Sequence, residues 1–496
     1  MTPKTDADVL PVKSDSEAPD IDVGQVKLMD DRDVDPALKL TGGVMIEFTP
    51  EEECQTLRKI DMNMLPLMCW VYMIQFADKT TLNYASLMGI REDTNLKGNE
   101  FSWISSIFYA GYLAWEFPTT YLFRRLPVGK YVSANILAWG VALTCHAATH
   151  NYAGLLATRF FLGAFEATVT PAFVLITSMW YKQGEQARRV GYWLSCNGFS
   201  LIIMALIGYG LSAVEESSIP PWKILFLVLG LITVLTGAFN LWYLPDNQAN
   251  AKFLDDRQRL IAVERIRDNF QGIGNRFSFL MNIPNGGITT FGSIIVNSFG
   301  FNARLSLLLG APSGLFDIGG KLLFTWLSDK YMDQTLFALV AIMFPLIGGI
   351  MMIAIPLSSK GALLLGYWMI SVSGSSWGLV MVAISNNTLG YTKKVTVNSL
   401  QIIAYAAGNW IGPQTFRADD APLYKRGKMM VAIMYGCAAL VLLILRFVNI
   451  QENKRRERLA AASGVELSEE TAALELERSK FMDLTDFKLA RFRYVL

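Results

Sequence analysis

The chain has 496 residues, 52% of them hydrophobic, with a formal net charge of +1 and a mean hydropathy of +0.31. This is the composition of a membrane protein, and a charge so near zero argues against a nucleic-acid partner. Two histidines (His146, His150) and five scattered cysteines form no C-x-x-C pair, zinc site or Ser-His-Asp set, and G-x-x-x-x-G-K-[ST] is absent, so neither an enzyme nor an ATP-driven pump is expected.

Residues 1–60 are polar and acid-rich and lack the parts of a secretory signal. They read as a disordered cytoplasmic tail. Apolar runs of about 20 residues, the unit that crosses a bilayer, then follow at 63–89, 101–122, 127–148, 152–181, 189–212 and 222–244. These six make a first bundle, 61–244. A polar stretch, 245–276, reads as a cytoplasmic central loop, helical over 251–267. A second bundle, 277–449, holds runs at 277–301, 303–327, 335–357, 361–385, 395–416 and 427–449, and a charged tail covers 450–496. The expected fold is therefore an all-α membrane protein of twelve transmembrane helices in two six-helix bundles, the organisation of a secondary transporter. The seventh run is the doubtful one, because Pro284, Gly286 and Gly287 break it.

The first run contains Asp78 and Lys79, which lie at a depth where an ionisable group costs a few kcal/mol and is rarely without a role. Glu116, in the second run, is a weaker candidate. In the fourth run Arg159 and Glu166 are seven apart, on one helix face about two turns from each other. An Arg there can hold a carboxylate in bidentate fashion. Glu166 is a candidate proton carrier, since burial and nearby cations pull a carboxyl in opposite directions. An anion arriving at Arg159 would weaken an Arg159–Glu166 attraction and favour a proton on Glu166. The alternative for both pairs is a salt bridge that locks helices. Asn197 and Asn409 either bind solute or hydrogen-bond a neighbouring helix. Asp317 and Lys321, four apart, read as a private pair. Glycines and alanines of runs four and five read as close-packing positions, and Trp180, Tyr181, Trp222, Trp242 and Tyr243 as interface anchors.

Lys and Arg in short loops set orientation. Arg124, Arg125, Lys130, Lys182, Arg188 and Arg189 follow runs two and four, whereas Arg91 and Lys97 follow runs one and three. Both termini and the central loop are thus expected in the cytoplasm. Arg417, Lys425, Arg426 and Lys428 fall against this pattern, in a loop that should be external.

Arg159-x-x-x-Gly163-x-x-x-Ala167 resembles the fourth-helix motif of the major facilitator superfamily. Gly319-Gly320 with Trp326-Leu-Ser-Asp329-Lys330-Tyr331 resembles its loop motif after helix eight, which implies structural or gating roles for Asp329 and Lys330 beside Glu116, Asp317 and Lys321. Asp78-Lys-Thr-Thr-Leu-Asn83-Tyr-Ala85, Asn282-Ile-Pro-Asn-Gly-Gly287, Gly408-Asn-Trp-Ile-Gly-Pro-Gln-Thr-Phe416 and Glu452-Asn-Lys-Arg-Arg-Glu457 are similar to the fungal allantoate permease branch of the anion:cation symporters. That resemblance implies a major facilitator fold and proton-coupled uptake of a small organic anion such as allantoate, nicotinate or pantothenate. It implies Lys79 and Arg159 as substrate ligands and Asp78 and Glu166 as proton-coupling groups; Asn197 and Asn409 are added as candidate substrate ligands from their place in apolar runs. Its cofactor set is none beyond the coupling proton. Its partners are an anionic solute and the lipid bilayer, and a monomer in the plasma membrane is expected. Against the family pattern, the chain lacks about one span's worth of residues ahead of Asn282, so the seventh helix is expected to be shortened. Export of a small metabolite is the second reading. A non-transporting sensor or an inactive truncated product is the third.

Overall fold

The computed structural model describes residues 48–123, 125–214, 218–265, 276–331, 333–386 and 391–462. Among them every regular element is helical. The first half contains α1 (Pro50–Ala85), α2 (Glu100–Leu122), α3 (Val128–Cys145), α4 (Tyr152–Glu166), α5 (Val169–Trp180), α6 (Gln183–Leu211) and α7 (Pro221–Tyr243). A short α8 (Asp256–Glu264) lies in the central loop. The second half contains α9 (Arg276–Asn297), α10 (Ala303–Leu308), α11 (Pro312–Tyr331), α12 (Gln334–Ala354), α13 (Lys360–Ile370), α14 (Ser373–Asn386), α15 (Tyr391–Gln414) and α16 (Lys425–Ala462). Each expected run is occupied by one helix or, for runs four, eight and ten, by two in succession.

Seven of these helical stretches are long and apolar enough to cross a membrane on length and composition alone. The long helices α1, α2, α3, α9 and α15 fall below that level because of the polar and charged side chains they carry, among them Asp78, Lys79, Glu116, Asn135, Asn282 and Asn409. In a bilayer such groups must face protein or water rather than lipid.

Two expectations change. Residues 50–60 belong to the first helix. Thr49 caps it by accepting from Glu52 N, Glu52 reciprocates, and Pro50 and three acidic residues occupy the first turn, which is a strong helix start. The seventh span is unbroken: α9 is one helix of 22 residues, about 33 Å at 1.5 Å per residue. Its glycines bring α15 close. A Cβ on Gly286 would lie 2.5 Å from the Asn409 carbonyl oxygen, and one on Gly412 would lie 2.4 Å from that of Ile283. The aromatic anchors also divide. Trp242 is 68% exposed, but Trp180, Tyr181 and Trp222 are buried, and Trp222 donates to Asp93 Oδ2 at 2.6 Å.

At the other end of the first half, charged residues tie α1, α6 and the central loop together. The Arg265 side chain is fully buried and bonds Glu53 (2.9 Å) and Glu185 (2.7 Å). Arg257 holds Glu52 at 2.6 Å, Lys59 meets Asp255 at 3.1 Å, and Arg189 meets Asp61 at 2.8 Å. Burial works against charge on Glu53, but the hydrogen bonds and charges of Lys182 and Arg265 outweigh it and hold the carboxyl low. Arg257 holds Glu52 at about 2. Carboxyls lowered in the fold stabilise it fully above their unfolded value, near 4.5, and lose that contribution as pH falls toward their folded values. The melting temperature of the purified protein is therefore expected to hold from pH 7 to about 5 and drop below that. Arg265→Ala should lower it at neutral pH, since each charge-assisted bond is worth about 1.5–3 kcal/mol, and should flatten the acid limb. A melting profile unchanged by the substitution would discount this tie.

Candidate substrate and proton site

α1 and α4 carry the deepest charges of the first half, Asp78, Arg159 and Glu166. Neighbours on a helix point about 100° apart, so Asp78 and Lys79 face different partners. Asp78 is fully buried, and its Oδ2 accepts from Trp139 Nε1 on α3 at 2.7 Å. Its Oδ1 has no hydrogen-bond partner. Lys79, 12% exposed at its side chain, lies 3.1 Å from Oε1 of the fully buried Glu166. Neither Glu166 oxygen has an aligned donor, so the pair is held by charge and distance rather than by a directed bond.

Arg159 is 3% exposed. Its guanidinium lies 5.6 Å from the centre of the Phe226 ring, and Nε and Nη2 have no acceptor. Asp78 and Glu166 are the carboxylates whose charges reach it, but among the described residues it makes no ion pair. The expected Arg159–Glu166 attraction is therefore one of charge at a distance, without a direct contact. Two helical turns separate them by about 10 Å along the axis, and Lys79, on the adjacent helix, takes the nearer place. The constellation is two carboxylates and two cations with one cation uncommitted.

The other candidates separate by role. Asp317 and Lys321 form the expected i,i+4 pair at 2.7 Å. Lys321 also donates to the Leu194 carbonyl at 2.9 Å, so the pair bridges the halves. Asn197 is half-buried, and its Oδ1 has no partner. The next residue, Gly198, sits where a Cβ would be 2.5 Å from the Gly314 carbonyl oxygen of α11. Asn409 is fully buried. It donates to Asn282 Oδ1 (3.1 Å) and the Tyr405 carbonyl (2.9 Å) and accepts from Asn285 (2.9 Å), which is the helix-bonding role of the two the sequence leaves open. Glu116 is 5% exposed and lies near Tyr112. Lys330 lies over the Trp326 ring at 5.0 Å. The side chain of Asp329 lies outside the described residues.

The aromatic residues at the site escape sequence reasoning, Trp139, Tyr112, Trp377 and Tyr405 among them. Tyr405 had a usable signal, since a tyrosine in the middle of an apolar run is not at the depth of an interface anchor. Beyond the charges, where α1 stops and α2 starts, the halves are joined. Asn83 Oδ1 accepts from Ser293 N (2.7 Å), Ser105 and Thr290 hydroxyls meet at 2.6 Å, and Ser106 donates to the Trp410 carbonyl at 2.8 Å. Phe101 of the first half meets Phe291 of the second edge-on, with ring centres 5.5 Å apart. The basic residues that opposed the orientation rule lie near this end, where Arg417 and Arg426 share Asp419 at 3.3 and 3.2 Å.

Two halves whose described elements are all helical, with two carboxylates and two cations set between helices, are the architecture of a membrane transporter. Residues 68–413 match the family model of the Major Facilitator Superfamily, and the chain belongs to that superfamily. It is 38% identical to an allantoate permease of Saccharomyces cerevisiae, covering 95% of this chain and 92% of that protein. It is 37% identical to an uncharacterized transporter of Schizosaccharomyces pombe, covering 96% of each. The first of these alignments runs to 508 positions, more than the 496 residues present, so the permease has residues that this chain lacks. A solved structure of the xylose transporter XylE from E. coli superposes with a TM-score of 0.58 at 12% identity, covering 78% of this chain and 97% of that one. That likeness concerns the fold.

Proposed function

We propose that the chain imports a small organic anion together with a proton by alternating access. The observation that carries this reading is the buried Arg159 guanidinium with two nitrogens unpaired, because a buried donor without an acceptor is costly unless something fills the place. A carboxylate supplies what Nε and Nη2 lack. Its arrival adds one negative charge to a balanced set of two carboxylates and two cations, and one proton on Asp78 or Glu166 restores the balance. Binding of anion and proton are then linked. In this reading Lys79 is the second anion ligand, released when Glu166 takes the proton, and Asn197 is a neutral ligand at the seam. The halves rock about the site, and the joined end is the external one. The protein works in the plasma membrane as a monomer with both termini in the cytoplasm.

The test is uptake in yeast lacking its own permeases, with surface expression confirmed. Labelled allantoate, nicotinate, pantothenate and ureidosuccinate would be offered at pH 5 and 7, with and without a protonophore. Accumulation of one of them that rises at acid pH and collapses with the protonophore is the expected result. Glu166→Gln should keep exchange of internal for external substrate but lose concentration against the gradient. A Glu166→Gln protein that still concentrates substrate would remove Glu166 from coupling. Efflux without uptake would reverse the direction.

A further inference from the structure

The charged groups sit on one wall. Lys79 and Arg159 belong to α1 and α4 of the first half. What faces Lys79 across the seam is aromatic: the Tyr405 ring centre on α15 lies 6.0 Å from Lys79 Nζ. Around it stand Tyr109 at 6.3 Å, Tyr112 at 6.0 Å and Trp377 at 6.2 Å between ring centres, tilted by 69°, 51° and 45°. Tyr405 and Trp377 are only half-buried, and the Trp377 indole N–H has no acceptor. On the second half's side, Lys321 is committed to Asp317 and the Leu194 carbonyl. Among the described residues, then, the site has a cationic pole and a neutral aromatic pole with one spare donor.

We infer that Tyr405 and Trp377 are specificity residues that select an anion with one carboxylate and a flat, heteroatom-bearing group, such as a heteroaromatic or ureido acid, over aliphatic and doubly charged carboxylates. This rests on the anion-transport reading above. Tilted rings offer both edges and faces, so a flat guest finds an offset or edge-to-face partner that an alkyl chain does not. A guest heteroatom can accept from the Trp377 N–H. A second carboxylate would be desolvated at this pole with no spare cation to meet it, since Lys79 serves Glu166 or the first carboxylate and Lys321 is held by Asp317.

The experiment is competition binding to the purified full-length protein, with surface-expressed uptake in parallel. Nicotinate and allantoate are compared with hexanoate and succinate. The flat acids are expected to bind roughly tenfold more tightly, the size of one or two aromatic contacts. Tyr405→Leu and Trp377→Leu should each shrink that ratio severalfold, with the loss falling mainly on the flat acids. Tyr405→Phe should preserve it. Equal binding of flat and aliphatic acids by the native protein would overturn the inference and leave the transporter reading intact. A Tyr405→Leu protein that loses all four acids equally would also overturn it, because that is the mark of a structural role. Binding of no carboxylate at all would overturn the anion reading, and this one with it.

Discussion

Arg159→Ala is expected to abolish anion uptake by a protein that still reaches the membrane. The side chain is almost fully enclosed and has no salt-bridge partner among the described residues, so its removal deletes no helix-locking pair. In the proposed mechanism it removes the planar fork that receives the carboxylate. Truncating one partner of a buried charged pair costs about 2–5 kcal/mol, which is about 30-fold to several thousand-fold in affinity. Lysine separates charge from geometry. Arg159→Lys keeps a cation but loses the planar fork, so it should restore part of the binding and not the native affinity. Direct binding of labelled substrate to the purified variants checks this alongside uptake. If Arg159→Ala binds and transports anions like the native protein, the unpaired guanidinium is not the receptor and the proposed mechanism fails at its first step. Lys79→Ala should be milder, because Lys79 already has Glu166 at 3.1 Å and must give up that partner to serve a substrate.

The spans were readable from sequence because a bilayer imposes a length of about 20 apolar residues on every helix that crosses it. The buried charges were readable for the same reason, since Asp78, Lys79, Arg159 and Glu166 stand out against apolar neighbours. Pairing was not readable. Which cation meets Glu166 depends on how α1 lies beside α4, and no periodicity within either helix encodes that. The same limit explains Arg265. It reads as one charge in a polar loop, yet it is buried between Glu53 and Glu185, residues 212 and 80 positions away. Gly286 and Gly287 misled in the other direction. Glycine weakens a helix in isolation, but here the absence of a side chain is what lets α15 approach α9. Trp222 and Tyr181 look like interface residues by position but are buried, Trp222 donating to Asp93 and Tyr181 lying with its ring 5.0 Å from the Arg189 guanidinium.

Gly163→Ala should fail for a reason unrelated to charge. α4 crosses α2 so closely that a Cβ at Gly163 would stand 1.9 Å from the Phe108 carbonyl oxygen, and one at Gly111 would stand 2.0 Å from the Phe160 carbonyl oxygen. Both obstacles are backbone, so no rotamer change relieves them. The helices must separate by more than an ångström before an ordinary contact of about 3.5 Å returns. Overpacking of this kind typically costs about 1–3 kcal/mol and sometimes more, and here it also displaces the site. Arg159 lies one turn before Gly163 and Glu166 nearly one turn after it, so a shift of α4 off α2 moves both charges and changes the 3.1 Å Lys79–Glu166 distance. Gly163→Ala is expected to lower the melting temperature and transport together, and Gly163→Val to prevent accumulation of folded protein. Gly191 on α6 is the control. A Cβ there meets nothing within 4 Å, and alanine is worth about 1 kcal/mol more than glycine inside a helix, so Gly191→Ala should hold or raise the melting temperature. Gel filtration of detergent-solubilised variants with a thermal ramp measures all three. Native-like melting of Gly163→Ala would mean that α2 and α4 do not approach as closely as their backbones are placed. The position of Arg159 and Glu166 relative to α1 would then lose its support as well.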